Sequence, residues 1–361
     1  MRKVGVVCAF NPGNTGMHSV DLAAEIVLRQ TGIDFQLINF QRRPWRIFSG
    51  YPLCRKFGDL GKFSHILFWG DFQNNPLYGT RDFTRREVKF GYAKTIDEGI
   101  ENWKHLHLEL SERIPRKMVI ASIGNCFLGA SSALGAHDLR EPLRAFTLSS
   151  ARILPRESWS TKELLSASGA SADTVRTGLD AAFLLNLPVS TDFANRRHFG
   201  YAFARSGARD VAAALEAIRS RTRLIPVEIP WTVGDRRKSY KKTFERALNI
   251  IPNCRFIISD IYHLSINAIN HGTPVISISK GVGAMESSVD DQKKYALAEQ
   301  IGTTGLHVSL PPDGSLLSIL PQITARYDLL MEGQISRAAI MDGLHDQKRR
   351  FLSAIKEVLD T

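Results

Sequence analysis

Residues 255–288 read RFIISDIYHLSINAINHGTPVISISKGVGAMESS, and this stretch constrains the fold more than any other. An apolar run, 256–258, ends at Ser259-Asp260, and a helical spacing follows with Ile261, Leu264, Ile266 and Ile269 apolar. His271-Gly272 stops that segment, Pro274 starts a second apolar run at 275–278, and Lys280-Gly281-Val282-Gly283 closes the unit. Strand, turn, helix, strand, loop is the pattern of a βαβ unit. The strands read as continuous apolar runs because helices cover both faces of a parallel sheet. Ser259, Asp260 and His263 follow the first strand, and Ser279 and Lys280 follow the second. Open α/β sheets bind ligands outside the carboxyl ends of their strands. One wall of the functional site is therefore expected here.

The same alternation runs through the rest of the chain. Residues 3–10 read as a strand, 11–16 as a tight polar loop, and 17–30 as a helix with Val20, Ala23, Ala24, Val27 and Leu28 on its apolar face. The loop is either an anion site at a helix N-terminus or a structural turn, and it matches neither a dinucleotide fingerprint nor a Walker loop. Further strands are expected at 35–40, at 66–69 running into Gly70-Asp71, and at 118–122 running into Ile123-Gly124-Asn125. Short ones are expected at 146–148 and 151–154. Ser160, with Glu163 three residues on, reads as the N-cap of a helix over 161–167. The alternation restarts with a strand at 198–204 that ends at Arg205. The expected architecture is α/β with two Rossmann-like domains facing a cleft. The first covers 1–187, a linker covers 188–197, the second covers 198–332, and a C-terminal helix over 333–361 is placed to pack back on the first.

Composition narrows the class. A chain of 361 residues, 43% hydrophobic and 23% charged, suits a soluble protein with two ordinary cores. The N-terminal apolar run breaks at Asn11-Pro12, which fits a first strand rather than a signal peptide. No run approaches the roughly 20 apolar residues of a membrane span. Cys8, Cys54, Cys126 and Cys254 lie far apart without zinc spacing, so a reducing cytoplasm and no metal are expected. The formal charge of +11 is carried in local groups, including Arg42, Arg43 and Arg46, and 236–242. It ranks anionic small molecules first among partners and peripheral contact with an anionic membrane face second. With no nucleic-acid-binding signature alongside, no nucleic acid is expected. The aromatic, basic segment 41–62 reads as a flap, an acceptor-binding or membrane-contacting loop, or an ordinary packed loop.

Several segments, taken in order, resemble the polysaccharide pyruvyl transferase family. They are Arg156-Glu157-Ser158 with Ser160 and Gly169, Gly178-Leu179-Asp180-Ala181-Ala182-Phe183, the strand ending in Arg205, Ser259-Asp260-Ile261-Tyr262-His263, His271-Gly272-Thr273-Pro274, and Asp291 with Lys293 or Lys294. The resemblance implies a GT-B-like enzyme that transfers a pyruvyl group from phosphoenolpyruvate (PEP) to a hydroxyl pair of a saccharide or lipid-linked glycan. The product is a cyclic ketal of a cell-surface or exopolysaccharide. It also implies no cofactor beyond PEP as co-substrate, and a place in the cytoplasm or at the inner face of the membrane. The chain departs from the family pattern at Ile261, where the motif carries arginine, at Met17, where it carries an acid, and at Trp69-Gly70-Asp71, where it carries paired glycines.

Ketal formation from PEP needs an acid for the methylene carbon, cations for phosphate and carboxylate, and a base for the sugar hydroxyl. His263 and Asp235 are the expected catalytic residues. Arg205, Lys280, Ser259 and Asp260 are expected on the donor side, with Lys280 supplying the charge that Ile261 lacks. Asn14, Asn125 and Asp71 are expected on the acceptor side. The bland readings are a histidine capping a carbonyl, an Arg205–Asp210 ion pair, and Asp260 as a helix N-cap. The alternative function is a GT-B-type glycosyltransferase with a nucleotide-sugar donor, for which Glu286 is the nearest acid to hold a ribose.

Overall fold

The computed structural model describes residues 3–8, 14–41, 51–114, 117–135, 137–171, 173–189, 195–232, 239–280 and 288–361. The chain divides into two compact units. The first comprises Met1–Pro12, Val20–Leu184 and Gln347–Thr361, and the second comprises Gly13–Ser19 and Leu185–Asp346.

The first unit is built on strands β1 (Lys3–Cys8), β2 (Asp34–Ile38), β3 (His65–Asp71), β4 (Val119–Asn125) and β5 (Arg152–Leu154). They form one parallel sheet in the order β2-β1-β3-β4-β5. Its longer helices are α1 (Thr15–Thr31, counted in this unit from Val20 onward), α2 (Ile96–His107), α3 (Arg140–Ser149) and α4 (Ser158–Ser168). β3 lies between neighbours on both edges and buries every residue up to Gly70, as its apolar run requires. Phe68, Trp103, Phe127 and Phe146 anchor the core of this unit.

Two local expectations give way. Residues 146–148 lie inside helix α3 rather than in a strand. Leu143, Phe146 and Thr147 recur at helical spacing on its buried face, so the short apolar stretch is one turn of an amphipathic helix. The N-cap of α4 is Glu157, not Ser160. The Glu157 carboxylate accepts from Ser160 N at 2.7 Å and also from Ser160 Oγ, while Glu163 Oε1 accepts from Ser131 N.

The second unit carries β6 (His198–Ala202), β7 (Ile225–Glu228), β8 (Cys254–Ser259), β9 (Val275–Lys280) and β10 (His307–Leu310). These are again all parallel, in the order β10-β9-β8-β6-β7. Its helices include α5 (Val211–Thr222), α6 (Tyr240–Ile250), α7 (Tyr262–Asn270), α8 (Val289–Gln300) and α9 (Leu320–Met331). Every residue of α7 is buried. A helix buried on every side must bond its polar side chains, and α7 does so: beside Leu264, Ile266 and Ile269, Asn267 donates to His263 O and Asn270 to Leu185 O. Helix α10 (Arg337–Asp360) ends the chain. From Gln347 onward it belongs to the first unit, where Phe351 packs against Gly178, so the C-terminal helix does return to the N-terminal fold.

The two sheets share one strand order once each is numbered from its own first strand. In such a sheet the order reverses between the first and third strands, and ligands bind in the crevice at their carboxyl ends. The reversal falls between β1 and β3 in the first unit and between β6 and β8 in the second.

Candidate active site

At the reversal point of the second sheet, β8 delivers Ser259-Asp260 beside the end of β6. Asp260 is fully buried, and its carboxylate gathers the loop that follows β6. Oδ1 accepts from Ala204 N at 2.9 Å, and Oδ2 accepts from Arg205 N at 2.9 Å, Ser206 N at 2.6 Å and Ser206 Oγ at 2.7 Å. Ser259 Oγ donates to Ala202 O at 3.1 Å and accepts from Ile261 N at 3.0 Å. Both residues, expected as donor ligands, are committed to shaping residues 202–206. Asp260 does not cap α7, whose N-cap is Ile261 without a side-chain bond. The consequence is that the Arg205 side chain stands exposed at the strand end. The Arg205–Asp210 ion pair is absent among the described residues, and Asp210 Oδ2 accepts from Ser315 Oγ instead.

Lys280 is the last residue of β9 and is exposed. Its Nζ lies 3.6 Å from the position a Cβ would take on Gly207. Lys280 therefore leans over the loop that presents Arg205. Asp291 fixes this strand end: its Oδ1 accepts from Lys280 N at 3.0 Å and meets Lys294 Nζ at 3.1 Å, and its Oδ2 accepts from Ser288 Oγ at 2.7 Å. The Asp291/Lys294 pair is thus a buried strut, and Lys293 sits 5.4 Å above the Tyr262 ring. Among the described residues neither Arg205 nor Lys280 is in an ion pair, so two cations face one loop with their charge unspent.

His263 occupies the first turn of α7 and is 7% exposed. Its ring lies against Gly16 in the first turn of α1, where an added Cβ would fall 2.6 Å from His263 Cβ and 2.7 Å from Nδ1. Only glycine allows that approach. Asn14 Oδ1 accepts from Gly16 N at 3.0 Å in the manner of an N-cap, and Asn14 pairs with Thr232 in an isolated bridge. Thr15 Oγ1 donates to Trp231 O, and Asn267 Nδ2 donates to His263 O at 2.7 Å and to Ser19 Oγ at 3.3 Å. Asn14 therefore belongs to the second unit with His263, whereas Asp71 and Asn125 belong to the first. Asp235, with Gly281, Gly283 and Glu286, lies outside the described residues.

The first unit treats its expected residues differently. Asn125 is fully buried, donates to Phe68 O at 3.0 Å and Ser122 Oγ at 2.8 Å, and accepts from Gln73 N at 3.2 Å. Its amide ties β3 to β4 from a fully buried position. Asp71 ends β3 in the left-handed region, with φ 60°, and its carbonyl accepts from Cys126 N at 2.6 Å. The segment beginning Arg156 forms a buried knot, with Arg156 3.7 Å from Asp180 and 5.3 Å above the Phe72 ring. Asp180 Oδ1 accepts from Ala182 N, and Ser160 Oγ from Phe127 N.

One acid escaped notice in the sequence. Asp21 lies on the apolar stripe of α1, three residues before Ala24 and seven before Leu28, and that misplaced charge was the available signal. It is fully buried, and neither oxygen meets a normal hydrogen-bond donor among the described residues. Burial lifts its pKa well above the ordinary carboxyl value; the nearby Cys8 thiol opposes this, and the Asp71 charge adds to it. The folded chain therefore holds this proton more tightly than the unfolded one. Its contribution to stability is full below about pH 4 and declines as pH rises toward the folded pKa, by about 1.4 kcal/mol per unit of difference. Asp21→Asn should remove that decline. Melting curves from pH 4 to 8 should show the variant gaining on the parent as pH rises, and parallel curves would contradict the burial argument.

Comparison with known proteins adds the family. The family model described as polysaccharide pyruvyl transferase matches residues 22–280. A search of the curated proteins finds no match. Among solved structures, a Listeria monocytogenes protein assigned as a UDP-N-acetylglucosamine 2-epimerase aligns at TM-score 0.55 and 11% identity, covering 98% of this chain and 95% of that one. The UDP-GlcNAc 2-epimerase of Methanocaldococcus jannaschii aligns at 0.54 and 10%, covering 91% and 92%. A spinosyn rhamnosyltransferase complexed with spinosyn aglycone aligns at 0.50 and 14%, covering 100% of both chains. At these identities the likeness is one of fold, and that fold is GT-B-like.

Proposed function

The chain belongs to the polysaccharide pyruvyl transferase family, and on that premise we propose that it transfers a pyruvyl group from PEP to two hydroxyls of a saccharide. The observation that carries this reading is the cation pair on the loop after β6. Arg205 projects from it and Lys280 leans over it, at the ends of strands that flank β8. Adjacent strands lie about 4.8 Å apart, so the two strand ends are separated by roughly 10 Å. That span suits a small anion that carries both a phosphate and a carboxylate. Lys280 stands in for the charge missing at Ile261, as a point charge rather than a bidentate fork.

In the reaction a proton goes to the methylene carbon of PEP and two sugar oxygens bond to its C2. The C2–O bond to phosphate breaks, and inorganic phosphate leaves. Of the two hydroxyl protons, one balances the new methyl group and the other leaves with phosphate. His263 is the proposed proton carrier and Asp235 the proposed partner base. Arg205 and Lys280 hold the anions while charge develops on the leaving group. The setting we propose is assembly of an exopolysaccharide or other surface glycan on the cytoplasmic side. No described helix is long and apolar enough to cross a membrane.

The test is incubation with PEP and a panel of glycans, reading phosphate release, together with a thermal shift. PEP should raise the melting temperature, and Lys280→Ala should weaken that response about tenfold in concentration, as expected for an exposed charge on a phosphate-bearing anion. Stabilisation by UDP-, GDP- or CMP-sugars with no response to PEP would instead select the glycosyltransferase reading.

A further inference from the structure

The reversal point of the first sheet holds a cavity that the donor chemistry does not use. It opens at the carboxyl ends of β1, β2 and β3, and its walls include Cys8, Asn39, Asp71, Gln73, Tyr78 and His107. Its empty volume, mouth included, is about 370 Å³, of which about 30 Å³ admits the centre of a group the size of a hydroxyl. Asn39 Nδ2, Gln73 Oε1 and both ring nitrogens of His107 lack a hydrogen-bond partner among the described residues. These residues are only 3%, 4% and 3% exposed. Native proteins seldom leave buried polar groups unsatisfied, and such a cluster needs a ligand or ordered water to complete it.

The groups are held ready rather than left loose. Gln73 Nε2 donates to Val7 O at 2.6 Å and to Trp69 O at 3.0 Å, which fixes the amide. The His107 ring is stacked on Trp103 and edge-on to Phe40 and Phe83. Burial, with Arg55 adding to it, pushes the His107 pKa down to about 3, so the imidazole is neutral and offers one donor and one acceptor. Asn39 adds donors and Gln73 an acceptor. Among the described lining residues the formal charge is the Asp71 carboxylate. Hydroxyls, which donate and accept at once, match this set, and the guanidinium of Arg86 beside it is already engaged by Gln41 Oε1 at 3.2 Å and the Tyr78 hydroxyl at 3.0 Å.

We propose that this cavity receives hydroxyls from one edge of a neutral sugar residue, making the first unit a saccharide-binding site. Its place in the reaction, on the acceptor side, rests on the pyruvyl-transfer reading; its chemistry does not. The volume admits about two hydroxyl-sized groups, which leaves the rest of the ring at the mouth beside Tyr78.

The experiment is saturation-transfer NMR on the full chain without PEP. The probes are methyl α-D-glucopyranoside, methyl β-D-galactopyranoside, methyl α-D-mannopyranoside and glucose 1-phosphate. At least one neutral glycoside should bind. His107→Phe and Asn39→Leu, which remove unsatisfied atoms and keep the packing volume, should each bind it about tenfold more weakly. Both should melt at or above the parent temperature. The proposal is overturned if no neutral glycoside binds, as for a cavity filled only by water. It is also overturned if only the phosphorylated sugar binds, or if both variants bind as the parent does. Sugar binding without any response to PEP would sink the donor reading alone. A PEP response without sugar binding would sink the cavity assignment alone.

Discussion

His263→Gln is expected to lower phosphate release from PEP by about 10²–10⁴-fold, the usual worth of a positioned proton carrier. The amide keeps much of the bulk of the ring and can still hydrogen-bond, so the fold should stay within about 1 kcal/mol of the parent. Gly16→Ala supplies the matching positional test. The new methyl would lie 2.6 Å from His263 Cβ, so the first turn of α1 or the start of α7 must shift. Such overpacking typically costs about 1–3 kcal/mol. A shift of about 1 Å at a reacting group can cost about 10²-fold in rate. The alanine variant should therefore lose turnover although it retains the imidazole, and its rate should keep the pH profile of the parent at a lower level. If His263→Gln turns over at more than half the parental rate, the imidazole is not the proton carrier. If Gly16→Ala is silent, the ring's position is not critical.

The architecture was legible because the signal that sets it is local. Continuous apolar runs bounded by Ser-Asp, Gly-Asp or Gly-Asn specify buried parallel strands, and helical spacing between them leaves few topologies open. Failures came where a short run fits two periods. Residues 146–148 fit either a strand or one turn of α3, and burial of Leu143 one turn earlier, on the face of Phe146 and Thr147, decides for the helix. The N-cap of α4 moved from Ser160 to Glu157 for a related reason. Either residue can cap, and the choice is made by Ser160 Oγ accepting from Phe127 N, a contact 33 residues away in sequence.

For the candidate residues, the sequence indicated places along the strands rather than roles. Strand ends named Arg205, His263, Lys280 and Asp71, and these are the residues that face a loop, a helix turn or a cavity. Asp260 and Asn125 lie at strand ends too, yet hydrogen bonds consume their side chains. Nothing in a sequence distinguishes a carboxylate that binds a ligand from one that binds backbone N–H groups of a loop 54 residues earlier. The cavity groups were hidden for the opposite reason. Asn39, Gln73 and His107 look like ordinary polar residues until the fold shows each with a buried polar atom that has no partner among the described residues.

Asp260→Ala is expected to cost about 3–5 kcal/mol, the largest effect on stability of any single change at the site. Its carboxylate is fully buried and accepts from the N–H groups of Ala204, Arg205 and Ser206 and from the Ser206 hydroxyl. Removing it strands those donors beside β8, the middle strand of the second sheet, and bonds to a charged acceptor are worth about 1.5–3 kcal/mol each before the loop relaxes. Asp260→Asn separates stability from function more cleanly. It keeps one acceptor oxygen but turns an amide NH₂ toward backbone donors, so part of the loop must open while the chain still folds. Arg205 follows this loop, and PEP should then stabilise the asparagine variant far less than its folded fraction would explain. Urea midpoints, with thermal shifts at graded PEP, read the two effects apart. A midpoint for Asp260→Ala within about 1 kcal/mol of the parent would mean that the loop is held by something other than this carboxylate, and an undiminished PEP response in Asp260→Asn would detach Arg205 from the donor site.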